Sequence, residues 1–163
     1  MKDTATDQLD ARGLRVGIVV SRYHEAVTDR LRSGAEAVFT EAGGNPKDLL
    51  VVNAPGAFEL TAICHTLAIR GDLDAVVALG CVIRGETSHD QHIANAVATG
   101  LTQITLETRV PVAFGLLTCH TRRQASERAG GGEGNKGEEA MRAAIETARI
   151  LGDLGARAKA ESR

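Results

Sequence analysis

Four short apolar runs alternate with longer segments of mixed character along the chain. Their lengths and their content of valine, leucine and isoleucine predict buried β-strands over residues 14–21, 48–52, 73–83 and 110–118. Between and after these runs, apolar residues three and four positions apart predict helices. The helical segments cover residues 24–42, about 57–70, 89–108, about 121–129 and about 137–153.

Strands that alternate with long helices are typical of a parallel sheet covered on both faces. Because crossovers between parallel strands are right-handed, the pattern predicts an α/β fold, a three-layer flavodoxin-like sandwich with a four-stranded parallel sheet. Residues 14–155 form a single domain in this interpretation, preceded by an N-terminal arm of residues 1–13 and followed by a polar tail of residues 156–163. Ligands of such folds bind at the carboxyl ends of the strands.

Composition narrows the function classes. The 163 residues carry a formal net charge of -2, which offers no electrostatic attraction for nucleic acid or an anionic membrane. The chain has no apolar run of membrane-spanning length, and its polar N-terminus does not resemble a signal peptide. Three cysteines, an odd number without a CxxC pair, are typical of reduced core thiols in a cytosolic protein. We therefore expect a cytoplasmic protein with neither nucleic-acid nor membrane partners.

The polar segment RGETSHD, directly after the third strand, is the densest group of reactive side chains. A metal site built from Glu86, His89, Asp90 and His92 is disfavoured, because a carboxylate-bridged centre needs a second ExxH motif and none occurs. His89 has two readings that pattern alone does not separate. It either transfers protons near neutral pH or only caps the following helix. The backbone N–H groups of residues 86–88 would favour an anion.

The glycine-rich stretch GGGEGNKGEE resembles a nucleotide-binding P-loop only superficially, because Asn135 separates the glycine from the lysine and Gly137 follows. It predicts a flexible loop that enters a helix. Arg128 and Lys136 flank it and are able to hold phosphate or sugar hydroxyls. Among the few aromatic residues, Tyr23 follows a strand and suits stacking on a planar ligand. Core packing is the default for the phenylalanines near strand ends, and a helix dipole alone would explain Glu59.

Taken together, these segments resemble the lumazine synthase family. The matching stretches are GIVVSRYHEAVTDRLRSGA, APGAFEL, ALGCVIRGETSH, VPVAFGLLT and ERAGGGEGNKGEEA, which cover most of residues 14–150 in the family's order. The resemblance implies condensation of 5-amino-6-(D-ribitylamino)uracil with 3,4-dihydroxy-2-butanone 4-phosphate. The products are 6,7-dimethyl-8-ribityllumazine, phosphate and water, and the reaction needs no metal or organic cofactor.

The resemblance also implies a set of residues that bind the pyrimidine and its ribityl chain. Tyr23 stacks on the pyrimidine ring at a position where the family usually has Phe or Trp. The ribityl pocket is lined by Ala57, Phe58 and Glu59, with Glu59 accepting hydrogen bonds from hydroxyl groups. Backbone groups for the uracil edge come from Cys81, Val82 and Ile83.

A second set implied by the resemblance handles phosphate and protons. Glu86 and Thr87 form the phosphate-binding turn, and His89 transfers protons. The neighbouring subunit supplies Phe114, Arg128 and Lys136. Of these, Arg128 binds the phosphate and Lys136 lies near the pyrimidine and ribityl groups. Asp90 stands where many members carry an aromatic residue, a departure with no expected effect that we can name.

The family assembles as pentamers, and some members pack twelve pentamers into an icosahedral shell. The short spacing between Arg128 and Lys136 resembles that of shell formers, so we expect particles of sixty chains, with the pentamer as the alternative. The proline-free stretch of residues 7–16 would be able to add a strand to a neighbour's sheet. Two other functions compete: a lumazine-binding relative without turnover, against which the presence together of His89, Arg128 and Lys136 argues, and a shell protein whose container role dominates, which is compatible with the enzyme.

Overall fold

The computed structural model describes residues 9–161 of the chain, and in it strands and helices alternate up to a final long helix. The four long strands are β1 (Val16–Ser21), β2 (Leu49–Ala54), β3 (Ala75–Ile83) and β4 (Val112–Cys119). The helices that connect them are α1 (Glu25–Glu41), α2 (Leu60–Ile69) and α3 (His89–Thr108). After β4 follow α4 (Arg122–Glu127), β5 (Ala129–Gly131), β6 (Gly134–Asn135) and α5 (Lys136–Glu161).

One parallel sheet, in the order β2-β1-β3-β4, forms the centre of the molecule. Val16 of β1 lies between Leu49 of β2 and Ala75 of β3, and the β3–β4 pairing runs from Val76↔Val112 to Ile83↔Cys119. Because all four strands point the same way, their carboxyl ends meet at one edge. The predicted α/β sandwich of flavodoxin type is confirmed.

Both faces of the sheet are covered, which explains why the central strands are apolar without alternation. All six residues of β1 are buried. Ile18 and Val20 belong to the core cluster that also contains Leu31 of α1 and Met141 of α5. Val19 belongs to the cluster on the other face, which contains residues of α2 and α3. The molecule therefore has two cores, one on each side of a thin sheet.

Helices α1 and α5 pack so closely that their contact has room only for glycine at residue 137. A Cβ atom on Gly137 would overlap the carbonyl oxygen of Leu31 and would lie 2.6 Å from the carbonyl carbon of the same residue. Carbon atoms in ordinary contact are about 3.5–4.0 Å apart. The start of α5 is thus held against the backbone of α1.

The C-terminal third differs from the expectation in two respects. Helix α5 continues to Glu161 instead of ending near residue 153, so residues 156–161 of the predicted polar tail are helical. The glycine-rich stretch forms an antiparallel hairpin of β5 and β6 instead of a flexible loop. The hairpin is closed by backbone hydrogen bonds of its own, among them that from the Lys136 N–H to the Arg128 carbonyl, and Asn135 ties it to the backbone of α1.

The described part of the N-terminal arm packs on its own chain. Leu9 and Ala11 join the core cluster beneath α1, and the Ala11 backbone N–H donates to the Ala42 carbonyl at 2.9 Å. Residues 1–8 of the arm and residues 162–163 of the tail lie outside the described residues. The addition of a strand to a neighbouring sheet stays a prediction. Across residues 9–161, no helix combines the length and the apolar character needed to cross a membrane.

Candidate active site

Polar side chains gather where the four strands leave the carboxyl edge of the sheet. Two backbone hydrogen bonds join neighbouring exits. The Arg22 N–H donates to the Ala54 carbonyl at 2.9 Å, and the Arg84 N–H donates to the Cys119 carbonyl at 2.8 Å. The segments after β1 and β2 therefore start side by side, as do those after β3 and β4.

The exit from β1 presents an aromatic ring to solvent. Tyr23 is 68% exposed, and its backbone N–H donates to the Ser21 hydroxyl at 3.3 Å. His24 takes the left-handed conformation, with φ 61°, just before α1 begins. The two rings meet edge to face with centroids 5.4 Å apart. Burial, and then the charge of Arg122, lower the pKa of His24, so its ring is kept neutral beside Tyr23.

The exit from β2 supplies a second exposed ring and a carboxylate. Ala57 is buried, whereas Phe58 is 62% exposed. Phe58 borders a cavity of about 500 Å³ between α2 and α3. Glu59 precedes α2, makes no cap bond, and folds back so that a Cβ on Gly56 would lie 2.9 Å from its Oε2 atom. The Glu59 carboxylate is therefore available to hydroxyl groups of a ligand.

At the carboxyl end of β3, backbone groups are the main groups available to a ligand. The pairing of β3 with β1 ends at Leu79, so in the described chain residues 81–83 have a β-ladder partner only in β4. Cys81 is buried, and burial, with a smaller effect of Cys119, raises the pKa of its thiol to about 12. The thiol is thus protonated at neutral pH. Val82 and Ile83 are half-buried at the same edge.

The turn from β3 into α3 is open to solvent. Glu86, Thr87 and His89 are all exposed, and α3 begins at His89. Ser88 takes the position before the helix, and its side chain makes no capping hydrogen bond, while His89 is the first helical residue. The exposed backbone N–H groups of this turn sit at the positive end of the α3 dipole. An anion and a proton-transfer group are therefore able to meet here.

After β4, a capping arrangement orients the short helix that leads to Arg128. The Gln124 N–H donates to the Thr121 hydroxyl at 3.2 Å, and the His120 N–H donates to Gln124 Oε1 at 2.8 Å. Arg128 ends α4, where its charge partly offsets the effect of burial that raises the pKa of Cys119. Beyond the hairpin, Lys136 Nζ forms an ion pair with Glu139 at 3.0 Å.

Phe114 does not join the other site residues of the same chain. It pairs with Ala78 in the middle of β4, five residues before Cys119, which places it about 17 Å from the carboxyl edge. It lies on an outer strand of the sheet and is 39% exposed. A single chain therefore gathers the residues from 23 to 89 at one edge, but not Phe114.

The structure does not gather the acidic and histidine side chains of the RGETSHD segment into a metal site. Within residues 9–161, no group of three or more His, Cys, Asp or Glu side chains is arranged to hold a metal ion. Sequence reasoning had no role for Asp90. Its Oδ1 atom is buried and has no hydrogen-bond partner in the described chain, beside a cavity of about 420 Å³ that Thr118 and His120 also line.

Comparison with known proteins places the chain in one family. Residues 13–152 match the family model described as 6,7-dimethyl-8-ribityllumazine synthase. A protein of that name from Thermus thermophilus is 49% identical over 148 residues, which is 91% of this chain and 94% of the relative. Its namesake from Aquifex aeolicus is 45% identical over 147 residues, 90% of this chain and 96% of the relative. Another, from Desulfovibrio desulfuricans, is 42% identical over 151 residues, 93% and 97% of the two chains. The chain belongs to the 6,7-dimethyl-8-ribityllumazine synthase family.

Proposed function

We propose that this chain condenses 5-amino-6-(D-ribitylamino)uracil with 3,4-dihydroxy-2-butanone 4-phosphate to give 6,7-dimethyl-8-ribityllumazine, phosphate and water. The enzyme is a transferase of riboflavin biosynthesis that acts on small molecules. The observation that carries the proposal is the meeting of three features at one edge of the sheet. These are exposed aromatic rings, the open backbone of residues 81–83, and a helix N-terminus beside His89.

The chemistry requires several proton transfers and the departure of one anion. The 5-amino group of the pyrimidine attacks the ketone, and loss of water leaves an imine. Elimination then releases inorganic phosphate. The enol that this elimination leaves tautomerises to a new carbonyl, with a methyl group where the phosphate was. Attack of the ribityl-bearing nitrogen on that carbonyl closes the ring, and a second molecule of water departs. His89 gives and takes protons in these steps, while the turn at Glu86 and Thr87 and the N-terminus of α3 hold the phosphate.

The pyrimidine is bound by stacking and by backbone hydrogen bonds. Tyr23 and Phe58 supply exposed apolar surface, with Ala57 behind them, and the Glu59 carboxylate accepts from ribityl hydroxyls. The uracil edge is read by the backbone of Cys81, Val82 and Ile83. The raised pKa of the Cys81 thiol supports a purely backbone role for this residue. No cofactor takes part in the proposed reaction.

We place Phe114, Arg128 and Lys136 of an adjacent subunit in each site. The distance of about 17 Å between Phe114 and the carboxyl edge supports this placement, because Phe114 cannot serve its own chain's site. The exposure of the Tyr23 and Phe58 rings also supports this placement, since the surface of a partner subunit would cover them. The subunits form pentamers in this proposal, and twelve pentamers form a shell of sixty chains.

The catalytic proposal is tested by following lumazine formation optically from the two purified substrates. His89→Ala is expected to lower kcat substantially, toward the range of about 10²- to 10⁴-fold that general acid–base groups contribute. Spontaneous condensation of the substrates makes the observed loss smaller. His92→Ala, one turn along α3 on an exposed position, is the matched control and is expected to retain activity. Wild-type turnover by a folded His89→Ala protein would remove histidine from the mechanism.

The shared site is tested by mixing two inactive variants. Co-assembly of His89→Ala chains with Arg128→Ala chains creates some interfaces at which both residues are intact. Activity is expected to return on mixing. Mixed oligomers, verified by mass spectrometry, that stay inactive would favour a site within one chain.

Assembly and location complete the proposal. Light scattering and negative-stain microscopy are expected to show hollow particles of sixty chains, and a species of pentameric mass in every buffer would contradict the shell while leaving the enzyme in place. We place the enzyme in the cytoplasm, which the three free buried cysteines support because thiols persist in a reducing compartment.

A further inference from the structure

The hairpin of β5 and β6 connects the two cations to which the proposed function gives a role. The Lys136 backbone N–H donates to the Arg128 carbonyl at 2.9 Å, so the two residues are neighbours across the base of the hairpin. At its tip, the Gly132 N–H donates to Glu127 Oε2 at 2.7 Å. The hairpin is therefore held together internally. Its orientation on the rest of the molecule requires a separate contact.

Asn135 makes that contact. Only 9% of the residue is exposed, and both ends of its amide are hydrogen-bonded. Nδ2 donates to the carbonyl of Arg30, in the middle of α1, at 3.0 Å. Oδ1 accepts from the N–H of Gly137 at 2.8 Å and from that of Glu138 at 3.4 Å, which caps the start of α5. One side chain thus joins α1, the hairpin and α5.

The surroundings of Asn135 fit an amide closely. A Cβ on Gly34, one turn after Arg30, would lie 2.5 Å from Asn135 Nδ2. The Arg30 guanidinium donates from Nη1 to the hydroxyl of Ser126 at 2.9 Å, just before the hairpin. Arg30 therefore contacts the hairpin region twice, through its carbonyl at one end and through its side chain at the other.

We propose that Asn135 is a positioning residue for the phosphate-binding cation, acting through its hydrogen bond to the Arg30 carbonyl. The bond sets the distance of the hairpin from α1. It thereby sets the direction in which the Arg128 and Lys136 side chains project from the surface of the subunit. An amide is required because the side chain must both accept and donate hydrogen bonds. The cap needs an acceptor and the tether needs a donor. This inference rests on the proposed function, in which Arg128 of one subunit binds the phosphate in the site of the next.

The test uses Asn135→Asp in the full-length enzyme. Aspartate keeps the helix-capping acceptor but turns an oxygen toward the Arg30 carbonyl in place of the donor. KM for the phosphorylated substrate is expected to rise about tenfold, equivalent to about 1.4 kcal/mol, with a change of less than about threefold in kcat. Asn45→Asp is the matched control. Asn45 caps the short 3₁₀ helix Pro46–Asp48 before β2, with its Oδ1 accepting from the Lys47 N–H, so the same change of charge there should leave both parameters unaltered.

A double-mutant cycle separates positioning from a merely structural effect. Arg128→Ala is expected to raise KM for the phosphorylated substrate more than Asn135→Asp does. Adding Asn135→Asp to Arg128→Ala should then raise it little further, because the residue through which Asn135 acts is already gone. Hydrogen exchange of residues 128–138 should be faster in Asn135→Asp than in Asn45→Asp. If Asn135→Asp does not fold, Asn135→Ser keeps a capping acceptor without the added charge and takes its place in the cycle.

The outcomes distinguish the two proposals. An unchanged KM in Asn135→Asp beside a raised KM in Arg128→Ala overturns the positioning role alone. Additive effects in the cycle also overturn it, because Asn135 would then act by another route. An unchanged KM in Arg128→Ala overturns the phosphate role of Arg128, and the positioning role of Asn135 falls with it.

Discussion

The contact between α1 and α5 gives a sharp prediction for Gly137→Ala. The added methyl group would overlap the Leu31 carbonyl oxygen and would lie 2.9 Å from the Cα atom of that residue. These are backbone atoms of a helix, so no flexible side chain is available to move aside. To restore ordinary contact the two helices must separate by about 1 Å or more, which opens the packing around Met141 and Ile145.

The magnitude follows from two opposing effects. Overpacking a well-filled contact costs about 1–3 kcal/mol, and a backbone clash belongs at the upper end of that range or above it. Alanine regains at most about 1 kcal/mol over glycine in a helix, and less in the first turn. The free energy of unfolding should therefore fall by about 2–3 kcal/mol, and Tm by about 5–10 °C for a chain of this length.

Urea unfolding followed by circular dichroism measures this change. All variants must be compared at one chain concentration, because the stability of the proposed oligomer would depend on it. Gly152→Ala, in the same helix with nothing within 4 Å of an added Cβ, is the control and should be as stable as the parent or more stable by up to about 1 kcal/mol. A Gly137→Ala protein as stable as the parent would show that α1 and α5 can separate without loss of stability, and the predicted clash would be refuted.

Two further predictions concern titration and thiol chemistry. Since burial and Arg122 lower the pKa of His24 below 6.5, the unfolded chain binds the proton more tightly, and stability should fall as the pH drops below 6.5. His24→Asn, which tolerates the left-handed backbone, should flatten this dependence in urea titrations at several pH values, and an unchanged slope would assign it to other groups. Burial raises the pKa of Cys64 and Cys81 to about 12, so iodoacetamide at pH 8 should leave these thiols unmodified in the native protein and alkylate them in urea. Rapid native labelling, read by mass spectrometry, would mean that the core opens.

The local pattern of apolar residues was sufficient to predict most of the fold. The spacing of apolar residues predicted α3 over residues 89–108, and the structure has it as His89–Thr108. The pattern underestimated α5, which was expected to end near residue 153 but continues through Gly152 and Gly155 to Glu161. Each glycine lowers the stability of a helix interior by about 1 kcal/mol relative to alanine, which disfavours the helix but does not end it.

The placement of the hairpin against α1 could not be predicted from local pattern, because the contact that fixes it is not local. The Asn135 amide donates to a carbonyl 105 residues earlier in the chain, and a run rich in glycine gives no sign of that contact. A weaker signal was present: Asn135 followed three residues later by Glu138 has the form of a helix start. Reading it would have placed the start of α5 one residue after Asn135, as observed.

For the site, the strand pattern located the strand ends, whereas a contribution from a second chain was implied by the family resemblance alone. The order of the strands brings residues 23, 58, 59 and 89 to one edge, and the parallel pattern had already implied that edge. The register of β4 separates Phe114 from them, in agreement with its position four residues before the end of the strand predicted over residues 110–118. The roles of Phe114, Arg128 and Lys136 in a neighbour's site rest on family resemblance and stay predictions until the mixing experiment is done.

The fit between Gly34 and Asn135 also limits how this enzyme can diverge. A larger residue at position 34 collides with the amide, and a residue at position 135 without a donor and an acceptor frees the hairpin from α1. A change at either position alone therefore weakens the attachment of the hairpin to α1, although about a hundred residues separate the two positions in the chain. We therefore expect the two positions to change together, so that a descendant that replaces one must either pass through a weaker ancestor or acquire a different means of holding the hairpin.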